Sequence, residues 1–176
     1  MNVHGVVIWL TGRPAGGKTT LARALMPLLE QRGYRPVLID SDHFRDILTP
    51  DPTYSAAERD WFYAVLGQLA AWLAKHDLCA IVAATAHLRA YRAQARAIAP
   101  RFMEVFVHCP LAVAQARDPK GIYALAAAGK AETVPGIGVP YEPPTTPEAT
   151  VDTGRLSPTQ AARSVMQQLK LEDFDV

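Results

Sequence analysis

The sequence predicts an α/β fold of three layers, a mainly parallel five-stranded sheet with helices on both faces and a lid segment. Two observations carry this. Apolar runs of strand length alternate with amphipathic helical stretches, the pattern of βαβ units with right-handed crossovers. The first run, Val6-Val7-Ile8-Trp9-Leu10, leads straight into the Gly-rich segment Gly12 to Thr20, and a helical pattern from Leu21 to Leu29 leaves it. The 176 residues, 49% hydrophobic and 20% charged, suit a single domain spanning 1–176 with one full core.

The elements follow in order. Residues 3–11 read as the first strand and 18–32 as the first helix, ended by Gly33. Residues 35–40 form a second strand, expected beside the first, and 42–48 a short helix before Pro50 and Pro52 break the chain. Ser55-Ala56-Ala57-Glu58 reads as a capping box opening a helix to about Lys75. A strand at 78–84 precedes a helix at 88–98, whose Arg89, Arg92 and Arg96 share one face and read as solvated. A strand at 101–108 and a short helix at 111–117 lead into an irregular, Gly- and Pro-containing stretch, 118–147. That stretch is too long for an ordinary connection, and a mobile lid over the site is its natural role. Residues 149–153 form the fifth strand. Ser157-Pro158-Thr159-Gln160 combines an N-cap, an N1 proline and an N3 glutamine, opening a last helix to about Leu171, with a frayed tail at 172–176.

The net charge of +1 gives no global electrostatic case for binding nucleic acid or a membrane surface. Cys79 and Cys109 fall in apolar runs that read as strands, where buried reduced thiols are expected. With no leader-like segment and no apolar run long enough to span a bilayer, the expectation is a cytoplasmic protein.

Gly12-Arg13-Pro14-Ala15-Gly16-Gly17-Lys18-Thr19-Thr20 matches G-x-x-x-x-G-K-S/T, between strand and helix as this phosphate-binding loop requires. Backbone N–H groups of such a loop and of the helix start converge on an anion. Lys18 then reaches the β/γ-phosphates and the Thr19 hydroxyl ligates Mg²⁺, so ATP with Mg²⁺ is the predicted donor. The site belongs at the carboxyl ends of the strands. There Asp40-Ser41-Asp42 ends the second strand. Asp42 reads either as the N-cap of the next helix or as a carboxylate facing an acceptor hydroxyl. Asp40 has the same two readings, the second as a contact to Mg²⁺ or its water. A single small domain with a lid fits a small-molecule kinase.

The residues carry a resemblance. The run from Phe102 to Leu111, then Ala116-Arg117-Asp118-Pro119-Lys120-Gly121-Ile122-Tyr123, then Gly136-Ile137 and Pro140-Tyr141-Glu142-Pro143-Pro144, is similar to the signature of the adenylylsulfate kinase family. Asp40-Ser41-Asp42-His43-Phe44-Arg45 resembles that family's D-G-D-N-x-R, and Tyr54-Ser55 and Glu58-Arg59 stand where it has F-S and D-R. The resemblance covers essentially the whole chain. It implies ATP-dependent phosphorylation of the 3′-hydroxyl of adenylyl sulfate, with Asp42, Lys18 and Lys120 catalytic and Arg117 packed on the ATP adenine. It implies that Arg45, Tyr54, Arg59 and Ile137 hold the acceptor, Tyr54 by stacking and the arginines through oxyanions. Without it, Arg59 would read as a solvated charge or an ion pair and Tyr54 as a loop anchor; His87, near a strand end, is a lone histidine to which the resemblance gives no role. A homodimer is also implied.

The chain departs from the family pattern mostly on the acceptor side. E-N-I-R-R becomes Trp61-Phe62-Tyr63-Ala64-Val65, and I-S-P-Y/H-R becomes Thr85-Ala86-His87-Leu88-Arg89. Y-K-K-A-R becomes Tyr123-Ala124-Leu125-Ala126-Ala127, and F-T-G becomes Val134-Pro135-Gly136. In the phosphate loop, Pro14 and Ala15 replace Ser and Gly, and Pro14 supplies no N–H. Three readings therefore stand. One is the family's own kinase, one a related kinase for another small alcohol, and one a non-catalytic nucleotide-binding protein.

Overall fold

The computed structural model describes residues 5–131 and 133–171, so the predicted strand start at residues 3 and 4 and the tail at 172–176 lie outside the described residues. The order is β1 (Val6–Thr11), α1 (Lys18–Glu30), β2 (Pro36–Asp40), α2 (Ser41–Leu48), α3 (Ala56–Lys75), β3 (Cys79–Ala83), α4 (Arg89–Ile98), β4 (Phe102–His108), α5 (Leu111–Arg117), α6 (Ile122–Ala127), β5 (Ala149–Asp152) and α7 (Pro158–Gln168).

The five strands form one sheet in the order β2-β3-β1-β4-β5, every pair parallel. β1 is central and all six of its residues are buried, as its unbroken apolar run requires. Its alternate residues feed two cores. Val6, Ile8 and Leu10 pack with Leu21, Leu25 and Leu29 of α1 and Ala162 and Val165 of α7. Val7 and Trp9 pack on the other face with Phe62, Leu66 and Ala70 of α3 and Tyr91 and Ala95 of α4. The three layers follow from that alternation.

Four expectations are corrected. β2 is not the neighbour of β1, because β3 lies between them. β2 opens with Pro36 and is only half-buried over most of its length, which suits an edge strand. Cys109 lies past the end of β4; both cysteines are nevertheless buried and unpaired, and burial pushes the Cys79 thiol up to about 12. The irregular segment 118–147 contains a helix, α6, entered through Gly121 at φ 65.

On the arginine face of α4, Arg89 and Arg96 are exposed as expected, and Arg92 is not. Arg92 is 2% exposed. Its Nε donates to Glu104 at 2.5 Å, and its terminal nitrogens donate to the carbonyls of Ala86 and Glu142. Arg96 donates to both Glu148 oxygens at 2.7 and 2.8 Å, and Arg89 Nε to the Pro143 carbonyl at 3.0 Å. The three side chains tie α4 to β4 and to residues 142–148. At α7 the predicted capping box is complete, with Ser157 and Gln160 bonded reciprocally.

Candidate active site

A cavity of about 860 Å³ opens at the carboxyl ends of the strands, where the topology places it. Pro14 to Thr20 line one part of it; Arg45, Tyr54, Arg59, Phe62 and Tyr63 line another, and Asp42 and Lys120 contribute to the same wall.

The phosphate loop is held from several sides. Gly12 leaves β1 so close to β4 that a Cβ there would sit 2.3 Å from the Val107 carbonyl oxygen, which requires glycine. Gly17, at φ 85, caps α1. Ala15 adopts φ 57, a conformation that costs an L-residue about 1–2 kcal/mol; the family's glycine would carry no such cost. The Thr153 hydroxyl donates to the Gly16 carbonyl at 2.7 Å, and Arg117 donates to the Thr153 carbonyl at 2.7 Å. The Tyr123 hydroxyl donates to the Pro14 carbonyl at 2.9 Å, joining α6 to the loop.

Lys18 Nζ donates to the carbonyls of Gly12 and Arg13 at 3.0 and 2.8 Å. Burial lowers this ammonium to about 8, partly opposed by the carboxylates of Asp42 and Asp40. The Thr19 hydroxyl donates to Asp40 Oδ2 at 2.9 Å, while Asp40 Oδ1 accepts the Asp42 N–H at 3.0 Å. Asp40, not Asp42, is therefore the N-cap of α2. That leaves the Asp42 carboxylate free of capping, and it pairs with Lys120 Nζ at 2.5 Å.

At the other end, the Arg45 guanidinium lies 3.9 Å from the Phe62 ring centre and 4.9 Å from that of Tyr54, and it pairs with Glu58 at 2.8 Å. Arg59 is buried rather than solvated and donates to the Thr133 carbonyl at 2.6 Å, 5.9 Å from the Tyr54 ring centre. Arg45, Tyr54 and Arg59 thus converge on the cavity that Lys18 lines.

Three of the predicted site residues do not line this cavity. Gly12 and Arg13 act through their carbonyls on Lys18, and the Arg13 side chain lies against Gly136. Ile137 is 47% exposed, because the turn that returns the Ile137, Gly138 and Val139 N–H groups to the Val134 carbonyl carries it away; Val134 and Pro135 line the cavity in its stead. His87 is buried against Tyr91 with Nδ1 lacking a hydrogen bond, and burial, then the Arg59 charge, lowers it to about 4. It is a neutral core histidine outside the cavity lining. The sequence pattern gives Thr153 and Tyr123 no site role, although Thr153 follows the last strand at its carboxyl end, where this topology gathers ligand contacts.

The sequence profile of the adenylylsulphate kinase family matches residues 4–152. The chain belongs to this family. An adenylyl-sulfate kinase of Chloroflexus aurantiacus is 40% identical over 172 residues, covering 98% of this chain and 92% of the relative. One of Burkholderia ambifaria is 41% identical over 172 residues, covering 97% and 94%. Among solved structures, the Mycobacterium tuberculosis APS kinase CysC, in complex with AMPPNP and APS, superposes with a TM-score of 0.86 at 32% identity, covering 94% of this chain and 98% of that one.

Set against the family pattern, the departures have visible structural effects. Phe62, where the family has Asn, is fully buried under the Arg45 guanidinium. Ala86, where it has Ser, sits at φ 40 and is buried. Leu125, where it has a lysine, is 46% exposed on α6 and lines the cavity, so this rim is more apolar than the family's.

Proposed function

We propose that this chain transfers the γ-phosphoryl group of ATP to the 3′-hydroxyl of adenylyl sulfate, giving ADP and the 3′-phosphorylated nucleotide. The observation that carries the reading is the Asp42–Lys120 pair at 2.5 Å, in a cavity lined by the phosphate loop and by Arg45, Tyr54 and Arg59. ATP places its phosphates on the loop N–H groups and Lys18. The acceptor's base stacks on Tyr54 and its oxyanions meet Arg59 and Arg45. Asp42 orients the 3′-hydroxyl and takes its proton as the new O–P bond forms and the bond to the ADP oxygen breaks. Lys120 moves from Asp42 onto the transferring phosphoryl group, whose charge it stabilises together with Lys18.

Mg²⁺ suits the donor set beside the loop, a hydroxyl and a carboxylate 2.9 Å apart. Thr19 would hold it, with Asp40 bound directly or through water and the nucleotide phosphates completing the shell. There it would neutralise phosphate charge.

A second reading keeps the donor side and changes the acceptor to another small alcohol, supported by Phe62, Leu125 and Val134 in the cavity lining. ADP release with ATP, Mg²⁺ and adenylyl sulfate, against a panel of nucleosides and sugars, separates the two. Turnover with adenylyl sulfate far above the ATPase background is expected. Background rates with it, alongside turnover of another alcohol, would reassign the acceptor.

Among the described residues no helix is long and apolar enough to cross a membrane, and we place the enzyme in the cytoplasm. A homodimer is part of the same proposal. Trp61 and Trp72, three turns apart on α3 and both about half exposed, supply an apolar face for a second copy. Sedimentation as a monomer would remove it.

A further inference from the structure

Glu58 does not complete the capping box that its position predicts. The Ser55 hydroxyl oxygen accepts the Glu58 N–H at 3.3 Å, but the Glu58 carboxylate turns to the preceding loop. Its Oε2 accepts from Thr53 N at 2.6 Å and from Thr53 Oγ1 at 2.7 Å. Its Oε1 accepts from Tyr54 N at 3.3 Å and from Arg45 at 2.8 Å.

Two walls of the cavity depend on these four bonds. Tyr54 stands at φ 54, in the left-handed region that a bulky residue leaves unless held. Arg45 lies between the rings of Tyr54 and Phe62, with one end anchored on Glu58. Glu58 itself does not line the cavity, whereas Arg45, Tyr54 and Phe62 do. Burial alone would raise the carboxyl, but the bonds from Thr53 and Tyr54 and the Arg45 charge outweigh it and hold it below the usual range.

We infer that Glu58 is a positioning residue for the acceptor: it locks Tyr54 and Arg45 into one rigid wall that receives a flat base and its oxyanion, without touching them. This rests on the acceptor end assigned above. The test uses the full chain as wild type, Glu58→Gln, Glu58→Ala and Glu58→Asp, the last being the residue the family pattern carries. Steady-state kinetics are combined with amide hydrogen exchange at Thr53 and Tyr54.

Glu58→Gln should raise the KM for adenylyl sulfate about tenfold or more, as loss of a charge-assisted bond implies. The KM for ATP should stay within about twofold, and Glu58→Asp should fall between wild type and Glu58→Gln. The Thr53 and Tyr54 amides should exchange at least about tenfold faster in Glu58→Gln and Glu58→Ala. Unchanged exchange would overturn the lock. Faster exchange with an unchanged acceptor KM would overturn the positioning role, and an equal rise in both KM values would reduce Glu58 to general structural support. A wild type inert toward adenylyl sulfate would defeat the acceptor assignment instead; the exchange rates would still decide whether Glu58 holds the wall.

Discussion

Lys120 and Asp42 meet in the cavity lining, Nζ to Oδ2 at 2.5 Å, one from the segment between α5 and α6 and one from the start of α2. Both side chains are more than half exposed, so water screens the pair and it contributes about 0–1 kcal/mol to folding. Its meaning is positional. The Lys120 ammonium rests on the carboxylate we propose for the acceptor hydroxyl, and α6 is tied down by the Tyr123 bond to Pro14. Exchange of Lys120 from Asp42 to a phosphoryl oxygen would free the carboxylate when the donor is in place.

Asp42→Asn tests that assignment. It removes the proton acceptor and keeps the side chain's volume. We expect kcat to fall by about 10²–10⁴, ATP affinity to stay near that of wild type, and stability to change by less than about 1 kcal/mol. Turnover and nucleotide titration on one preparation, with a thermal melt as control, check all three. Collapse of ATP binding with kcat preserved would contradict the role.

Lys18 makes the donor side sensitive to pH. Burial lowers it from 10.5 to about 8 in the nucleotide-free protein, and bound phosphates raise it again by supplying opposite charge. The charged form binds, so ATP affinity is complete below pH 8 and falls above it, by at most about tenfold per pH unit. In the nucleotide-free protein the unfolded chain keeps this proton to a higher pH than the folded one. Stability attributable to Lys18 therefore rises between about 8 and 10.5, and Lys18→Met should abolish that slope. Calorimetric titration of ATP across this range is the measurement; an affinity independent of pH would count against Lys18 as the phosphate ligand.

Much of this was legible from local pattern. The apolar run into G-x-x-x-x-G-K-T set β1, the loop and α1, because strand, glycine turn and helix start are each local demands. Ser157 to Gln160 wrote its own cap. What failed depended on packing between distant segments. Strand order follows from which strands tolerate an edge, and that placed β3 between β1 and β2. Asp40 and Asp42 are equally good caps by sequence; Thr19, donating from the other end of the chain segment, helps orient the Asp40 carboxylate. Glu58 fitted a capping box by spacing, yet Arg45 and Thr53 claimed its oxygens. Arg92 looked like a surface charge because its partner, Glu104, lies on a strand that helix periodicity cannot see.

Arg92 and Arg96 contrast sharply within one helix. Arg92 is 2% exposed and holds Glu104 and two carbonyls, whereas the Arg96 side chain is 40% exposed and pairs with Glu148 near the surface. Arg92→Met should cost about 3–5 kcal/mol, as opening a buried pair does, because the Ala86 and Glu142 carbonyls lose their donor and Glu104 keeps only Arg96, at 3.7 Å; an exposed pair is worth about 1 kcal/mol or less. Arg92→Met should therefore lower the melting temperature by about 6–20 °C at this chain length, and Arg96→Met by only a few degrees. The loss from Arg92→Met includes release of the Glu142 carbonyl, and so of the segment whose N–H bonds the His87 carbonyl at 2.8 Å. Thermal melts of the two variants side by side decide the matter. Equal, small shifts would return Arg92 to the solvated face that its spacing on α4 first implied.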